Sequence, residues 1–70
     1  MEILVFKTNL TDVDHISNVM PVLNLHPHIV EWNVDLHDCD NILRIVADKI
    51  PALEVETLLN NAGYFCKELE

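Results

Sequence analysis

The chain is poor in the residues that most often announce a function. It holds a single glycine, Gly63, which excludes a glycine-rich loop of the kind that cradles phosphate. Its two cysteines, Cys39 and Cys66, are too few for a secreted disulfide scaffold and fit a reducing compartment. Lysine and arginine number four against twelve Asp and Glu, a formal net charge of −8. Phosphate backbones and anionic lipid surfaces repel such a chain, so neither nucleic acid nor membrane is an expected partner. A basic protein partner or a cation suits the field better, although acidity of this size also serves solubility alone. Long hydrophobic runs are missing too. The start, Met1 to Lys7, carries one acid and four consecutive apolar residues, short of a signal peptide or a membrane span, and the expected location is the cytoplasm. No Ser/His/Asp order and no carboxylate pair in an evident cleft is present, so the chain reads as a non-enzyme.

What is present is apolar patterning. Seventy residues, half of them apolar, make one domain spanning 1–70, with a core but a modest one, since a chain this short buries only about 60% of its unfolded surface. Periodicity carries the parsing. Glu2 to Thr8 reads as a strand, buried on both faces or central in a sheet, with Ile3 and Val5 on one side and Leu4 and Phe6 on the other. Thr11 or Asp12 caps a helix, and Ile16, Val19, Met20 and Leu23 lie at the spacing of one helical face. Pro21 predicts a kink, and His26-Pro27-His28 ends the helix near Leu25. From Ile29 to Leu36, Val30, Trp32, Val34 and Leu36 alternate with polar residues, the mark of a half-buried strand with those four on the core. A polar turn, His37 to Asn41, leads to a β-branched run, Ile42 to Ala47, and the two strands should form a hairpin. Pro51 opens a second helix whose inward face is Val55, Leu58, Leu59 and Ala62, and Gly63 stands where a left-handed residue closes it. Tyr64 to Leu69 is a last strand.

The order β-α-β-β-α-β at this length implies an α+β class, the ferredoxin-like split βαβ sandwich: a four-stranded antiparallel sheet with two helices on one face. In that topology the exit of the first strand, the central hairpin and the turn before the last strand share one end. Asp12, His15, His37, Asp38, Cys39, Asp40 and Tyr64 are gathered there. His26 and His28 fall at the opposite end, in what reads as a surface loop.

Several local signatures then resemble the heavy-metal-associated domain, the fold of small copper chaperones and of the N-terminal modules of metal-pumping ATPases. The resemblance covers nearly the whole chain. Leu10-Thr11-Asp12-Val13-Asp14-His15 stands where that family has Met-Thr-Cys-x-x-Cys, Val30 through Leu36 follows the style of its second strand, and Ala62-Gly63-Tyr64 matches the tripeptide before its last strand. The two cysteine positions hold Asp12 and His15. Soft thiolates suit Cu(I), whereas one carboxylate and one imidazole do not. The resemblance therefore implies a small non-enzymatic binding domain without thiolate Cu(I) transfer, acting through an acidic surface or the open face of its sheet. The alternative is a carrier or sensor of a transition metal (Zn, Ni or Cu(II)) at Asp12 and His15 with the His37–Asp40 loop, giving Asp12, His15, His37, Cys39 and Asp40 as candidate ligands. Against that stands a purely structural account, with Asp12 as helix cap and Asp38 and Asp40 as turn formers. A monomer or a weak homodimer through sheet edges fits either function.

Overall fold

The computed structural model describes residues 1–69. Its elements run β1 (Glu2–Thr8), α1 (Val13–Asn24), β2 (Ile29–Asp35), β3 (Ile42–Ala47), α2 (Ala52–Asn61) and β4 (Cys66–Glu68). The strands form one antiparallel sheet in the order β2-β3-β1-β4, with both helices on one face. This is the split βαβ sandwich expected from the element order.

Strand pairing decides which residues face the helices. Leu4 stands opposite Ile45 and Phe6 opposite Leu43, and all four are buried. They meet Val19 and Leu23 of α1 and Val55 and Leu59 of α2 in one core, joined by Leu10, Ala47, Ile50 and Cys66. Apolar burial at this density is the main force holding the sheet and helices together.

Some expectations hold and others change. β1 is central, one of the two arrangements its composition allowed, and its outer side is open, with Ile3 68% exposed. Met20 lies at the margin of the α1 face rather than inside it, leaving Val19 and Leu23 as its buried contacts. A register shift between Ile29 and Glu31 places Ile29, not Val30, over the core, and Val30 is 58% exposed. A bulge adds one residue to a strand and so inverts the alternation on one side of it. Trp32 and Val34 keep their inward places, while Leu36 falls in the turn beyond β2. The last strand is shorter than Tyr64 to Leu69, although the Leu69 amide still donates to the Val5 carbonyl at 2.8 Å. α1 runs without interruption through Pro21.

The closure of α2 follows its sequence closely. Gly63 has φ +95°, its N–H donates to the Asn60 carbonyl at 3.0 Å, and the Tyr64 N–H donates to the Leu59 carbonyl at 2.9 Å. These two bonds define a Schellman cap, which leaves few helix carbonyls unpaired and turns the chain towards β4.

Candidate functional site

The end of the sandwich at which β1 exits is built by side chains that bridge three segments. Buried Thr8 is the pin: its hydroxyl donates to the Asn41 carbonyl at 2.6 Å and accepts the Leu10 N–H at 3.2 Å. The Thr8 N–H donates to the Asp40 carbonyl at 3.1 Å, which holds the β2–β3 turn against the β1–α1 loop. Asn9 Oδ1 accepts the Phe65 N–H at 2.8 Å, and Asn18 Nδ2 donates to the Tyr64 hydroxyl at 2.8 Å. The segment before β4 is thereby drawn to the same rim. Topology predicted that meeting; Thr8, Asn9 and Asn18 were missed, because nothing in a lone Thr or Asn distinguishes a tertiary bond from a solvated side chain.

At this rim Asp12 and His15 form the start of α1. Asp12 is the N-cap, its Oδ1 accepting the His15 N–H at 3.1 Å. His15 answers with its ring: Nδ1 accepts the Thr11 N–H at 3.1 Å and lies 3.2 Å from the Thr11 hydroxyl. The pair satisfies two backbone donors reciprocally, much as a capping box does. Because Nδ1 accepts, the neutral ring carries its proton on Nε2, which lies 3.8 Å from Asp12 Oδ2. The ring also packs against Tyr64, with centroids 5.3 Å apart. A metal bound at Nε2 would shift the proton to Nδ1 and set it against the Thr11 N–H. Helix capping and metal ligation by His15 are thus chemically opposed.

The turn between β2 and β3 holds the other candidates. One ligand atom each from Asp38, Cys39 and Asp40 lies within 4.8 Å of the others, and among the described residues no further group of three His, Cys, Asp or Glu meets that condition. Asp12, His15 and His37 therefore stand outside this group. Asp38 Oδ1 also accepts the Asp40 N–H at 2.8 Å, and Asp35 Oδ1 accepts the His37 N–H at 3.0 Å, so both carboxylates shape the turn. Asp40 Oδ1 lies 3.4 Å from Lys7 Nζ.

Both cysteines are free. Cys39 is exposed in the turn, while Cys66 is only 5% exposed, on the inner face of β4 opposite Thr8. Burial, aided by nearby Glu56, pushes the Cys66 thiol up to about 12 from its ordinary 9.0, so it is no thiolate ligand at neutral pH. At the far end of the domain His26 Nε2 contacts Glu54 Oε2, and His28 lies beside it with ring centroids 5.7 Å apart. Among the described residues there is no pocket, and no helix is long and apolar enough to cross a membrane.

Known structures agree closely in shape. The heavy-metal-associated domain of the copper chaperone for superoxide dismutase superposes with a TM-score of 0.80 at 20% identity, covering 97% of this chain and 66% of that one. The N-terminal domain of ZntA in its Zn(II) form gives 0.80 at 17% identity, covering 97% and 92%. A chain of the Atx1–Cu(I)–Ccc2a complex gives 0.85 at 12% identity, covering 100% and 97%. No family model matches the sequence, and no curated protein matches it. The class is therefore set by shape: the chain has the fold of the heavy-metal-associated domains, carried on a sequence with a carboxylate and an imidazole at the β1–α1 junction.

Proposed function

We propose that this chain is a non-enzymatic protein-binding domain on a heavy-metal-associated scaffold, and that it does not pass Cu(I) between thiolates. The observation that carries the reading is the β1–α1 junction. Asp12 and His15 stand in the two positions that the resemblance gives to metal-binding cysteines, and both are engaged in capping α1. Neither is a soft ligand. Of the chain's two thiols, one is buried and held protonated, and the other lies in the β2–β3 turn. A fold shared with a chain of the Atx1–Cu(I)–Ccc2a complex supports protein partnering. The net charge of −8 favours a basic partner.

Competition against a strong Cu(I) chelator tests the reading. The purified protein should leave the chelator loaded at one equivalent of Cu(I). Stoichiometric withdrawal of Cu(I), lost again on Asp12→Ala or His15→Ala, would overturn it.

A second reading rests on the closeness of Asp38, Cys39 and Asp40. It makes the chain a transition-metal carrier or sensor, with Asp12, His15, His37, Cys39 and Asp40 as candidate ligands and Zn(II), Ni(II) or Cu(II) as the ion. Mixed thiolate, imidazole and carboxylate donors suit Zn(II). That reading needs Asp40 to release Lys7 and His15 to release Thr11. It predicts that Zn(II) shifts the amide signals of residues 11–15 and 37–40 together. Shifts confined to His26 and His28 would refute it.

A further inference from the structure

The chain's few cations are not scattered. By strand alternation the open face of the sheet, away from the helices, carries Lys7 on β1, Arg44 on β3 and Lys67 on β4, three of the four basic residues in the sequence. Of the acids among the described residues, only Glu31 and Asp35 of β2 share that face. Asp40 reaches the edge of that face from the β2–β3 turn to pair with Lys7, and the other eight lie elsewhere, where Lys49 is the one basic residue. An acidic protein has therefore placed its positive charge on one side.

The register makes the concentration costly. Lys7 and Lys67 stand directly opposite one another on adjacent strands, and like charges in that position destabilise a sheet. Lys7 reaches Asp40 at 3.4 Å, whereas Arg44 and Lys67 make no ion pair among the described residues, even though Arg44 lies diagonally between Glu31 and Asp35. Apolar groups lie beside these cations. Ile3, Val5 and Val46 occupy the same face, and Leu69 continues it beyond β4. Ile42, also on this side, is 7% exposed yet lies outside the core cluster, so the face already has some apolar cover of its own.

We propose that the open β3-β1-β4 face is a docking surface for an acidic, apolar protein segment, whose carboxylates neutralise Lys7, Arg44 and Lys67 while its aliphatic or aromatic side chains cover Ile3, Val5 and Val46. Charge complementarity selects this occupant. Two copies of the chain stacked face to face would set these cations against their own equivalents. A phosphate backbone or an anionic lipid surface extends beyond the patch and would also meet the surrounding acidity, whereas a short segment can be confined to the patch itself. The surface lies off the β1–α1 junction and does not depend on how that junction treats metals.

Short random peptides displayed on phage and selected against the full chain are the probe. Selected peptides should combine net negative charge with apolar residues, and their titration should move amide signals of β1, β3 and β4 but not of the helices. The Arg44→Glu/Lys67→Glu variant, and the milder Arg44→Gln/Lys67→Gln should the first fail to fold, should bind them about tenfold more weakly. Lys49→Gln, which alters net charge away from the face, should bind within about twofold of the parent chain. Selection of basic peptides or of none, equal affinity for the neutralised variant, or shifts confined to α1 and α2 would each overturn the proposal. So would concentration-dependent self-association through these same residues, which would put a second copy on the face.

Discussion

Thr8 carries an unusual share of the rim for a single side chain. Its hydroxyl gives a hydrogen to Asn41 and takes one from the buried Leu10 amide, so both partners depend on it. Replacing it with valine keeps the shape and removes both bonds, leaving a buried N–H unpaired. Thr8→Val should cost about 1–3 kcal/mol by urea denaturation, while Thr8→Ser, which loses a methyl group, should cost about 1 kcal/mol. Equal stability of the valine variant and the parent would show that the hydroxyl does not hold the turn. Cys66 makes a second prediction at this scale. Its thiol titrates near 12 when folded and near 9.0 when exposed. The folded thiol therefore keeps its proton where the unfolded one has lost it. The contribution of Cys66 to folding stability should be constant below about 9 and should fall by about 1.4 kcal/mol per pH unit between about 9 and 12. Cys66→Ala should lack that component of the slope. A thiol reagent at neutral pH should modify Cys39 in the native protein and Cys66 only after unfolding.

Elements were legible where a residue's own chemistry decides its conformation. Gly63 is such a case. Its φ of +95° is one that L side chains rarely adopt, and a Cβ there would meet nothing within 4 Å, so the cost of Gly63→Ala is conformational rather than steric. It should be about 1–2 kcal/mol in thermal or urea unfolding, with an unchanged amide spectrum away from α2 and β4. A loss well below that range would mean that the chain re-closes α2 in another way. The run Ile42 to Ala47 was equally readable, since a β-branched stretch bounded by a polar turn has few alternatives. Ile29 and Val30 were not. Both are β-branched, and only the pairing with Val46 and Ala47 on β3 decides which faces the core. Ile29→Ala should accordingly destabilise more than Val30→Ala, which should stay within about 0.5 kcal/mol of the parent. The candidate site divides along the same line. Topology brought Asp12, His15 and the turn residues to one end, but whether a carboxylate or imidazole is free depends on which backbone amide it meets. The bonds from the His15 N–H to Asp12 Oδ1 and from the Thr11 N–H to His15 Nδ1 are facts of local geometry that spacing alone does not reveal.

For the whole molecule, the relevant comparison is between its size and the reach of charge. The domain measures 28 × 25 × 18 Å, and it carries a formal charge of −8. At 0.01 M salt the screening length is about 30 Å, so every acid feels every other; at 0.15 M it is about 8 Å, and only near neighbours interact. Self-repulsion therefore operates across the entire domain at low salt and largely vanishes at physiological salt. The attractive side is short of partners: one Lys–Asp pair, Lys7 with Asp40, is formed among the described residues, and it is exposed to solvent. Pairs of that kind contribute about 0–1 kcal/mol, and screening weakens them as well. Repulsion should dominate, and added sodium chloride should raise the thermal midpoint between these two salt concentrations. A change on the order of 1 kcal/mol would appear as about 4–8 °C for a domain of this size. The same shift should be larger for Lys67→Glu, which deepens the excess negative charge, and smaller for Glu54→Gln, which relieves it. A midpoint that falls with salt in the parent chain would mean that local attractions, including those of the cationic sheet face, outweigh the field of the whole.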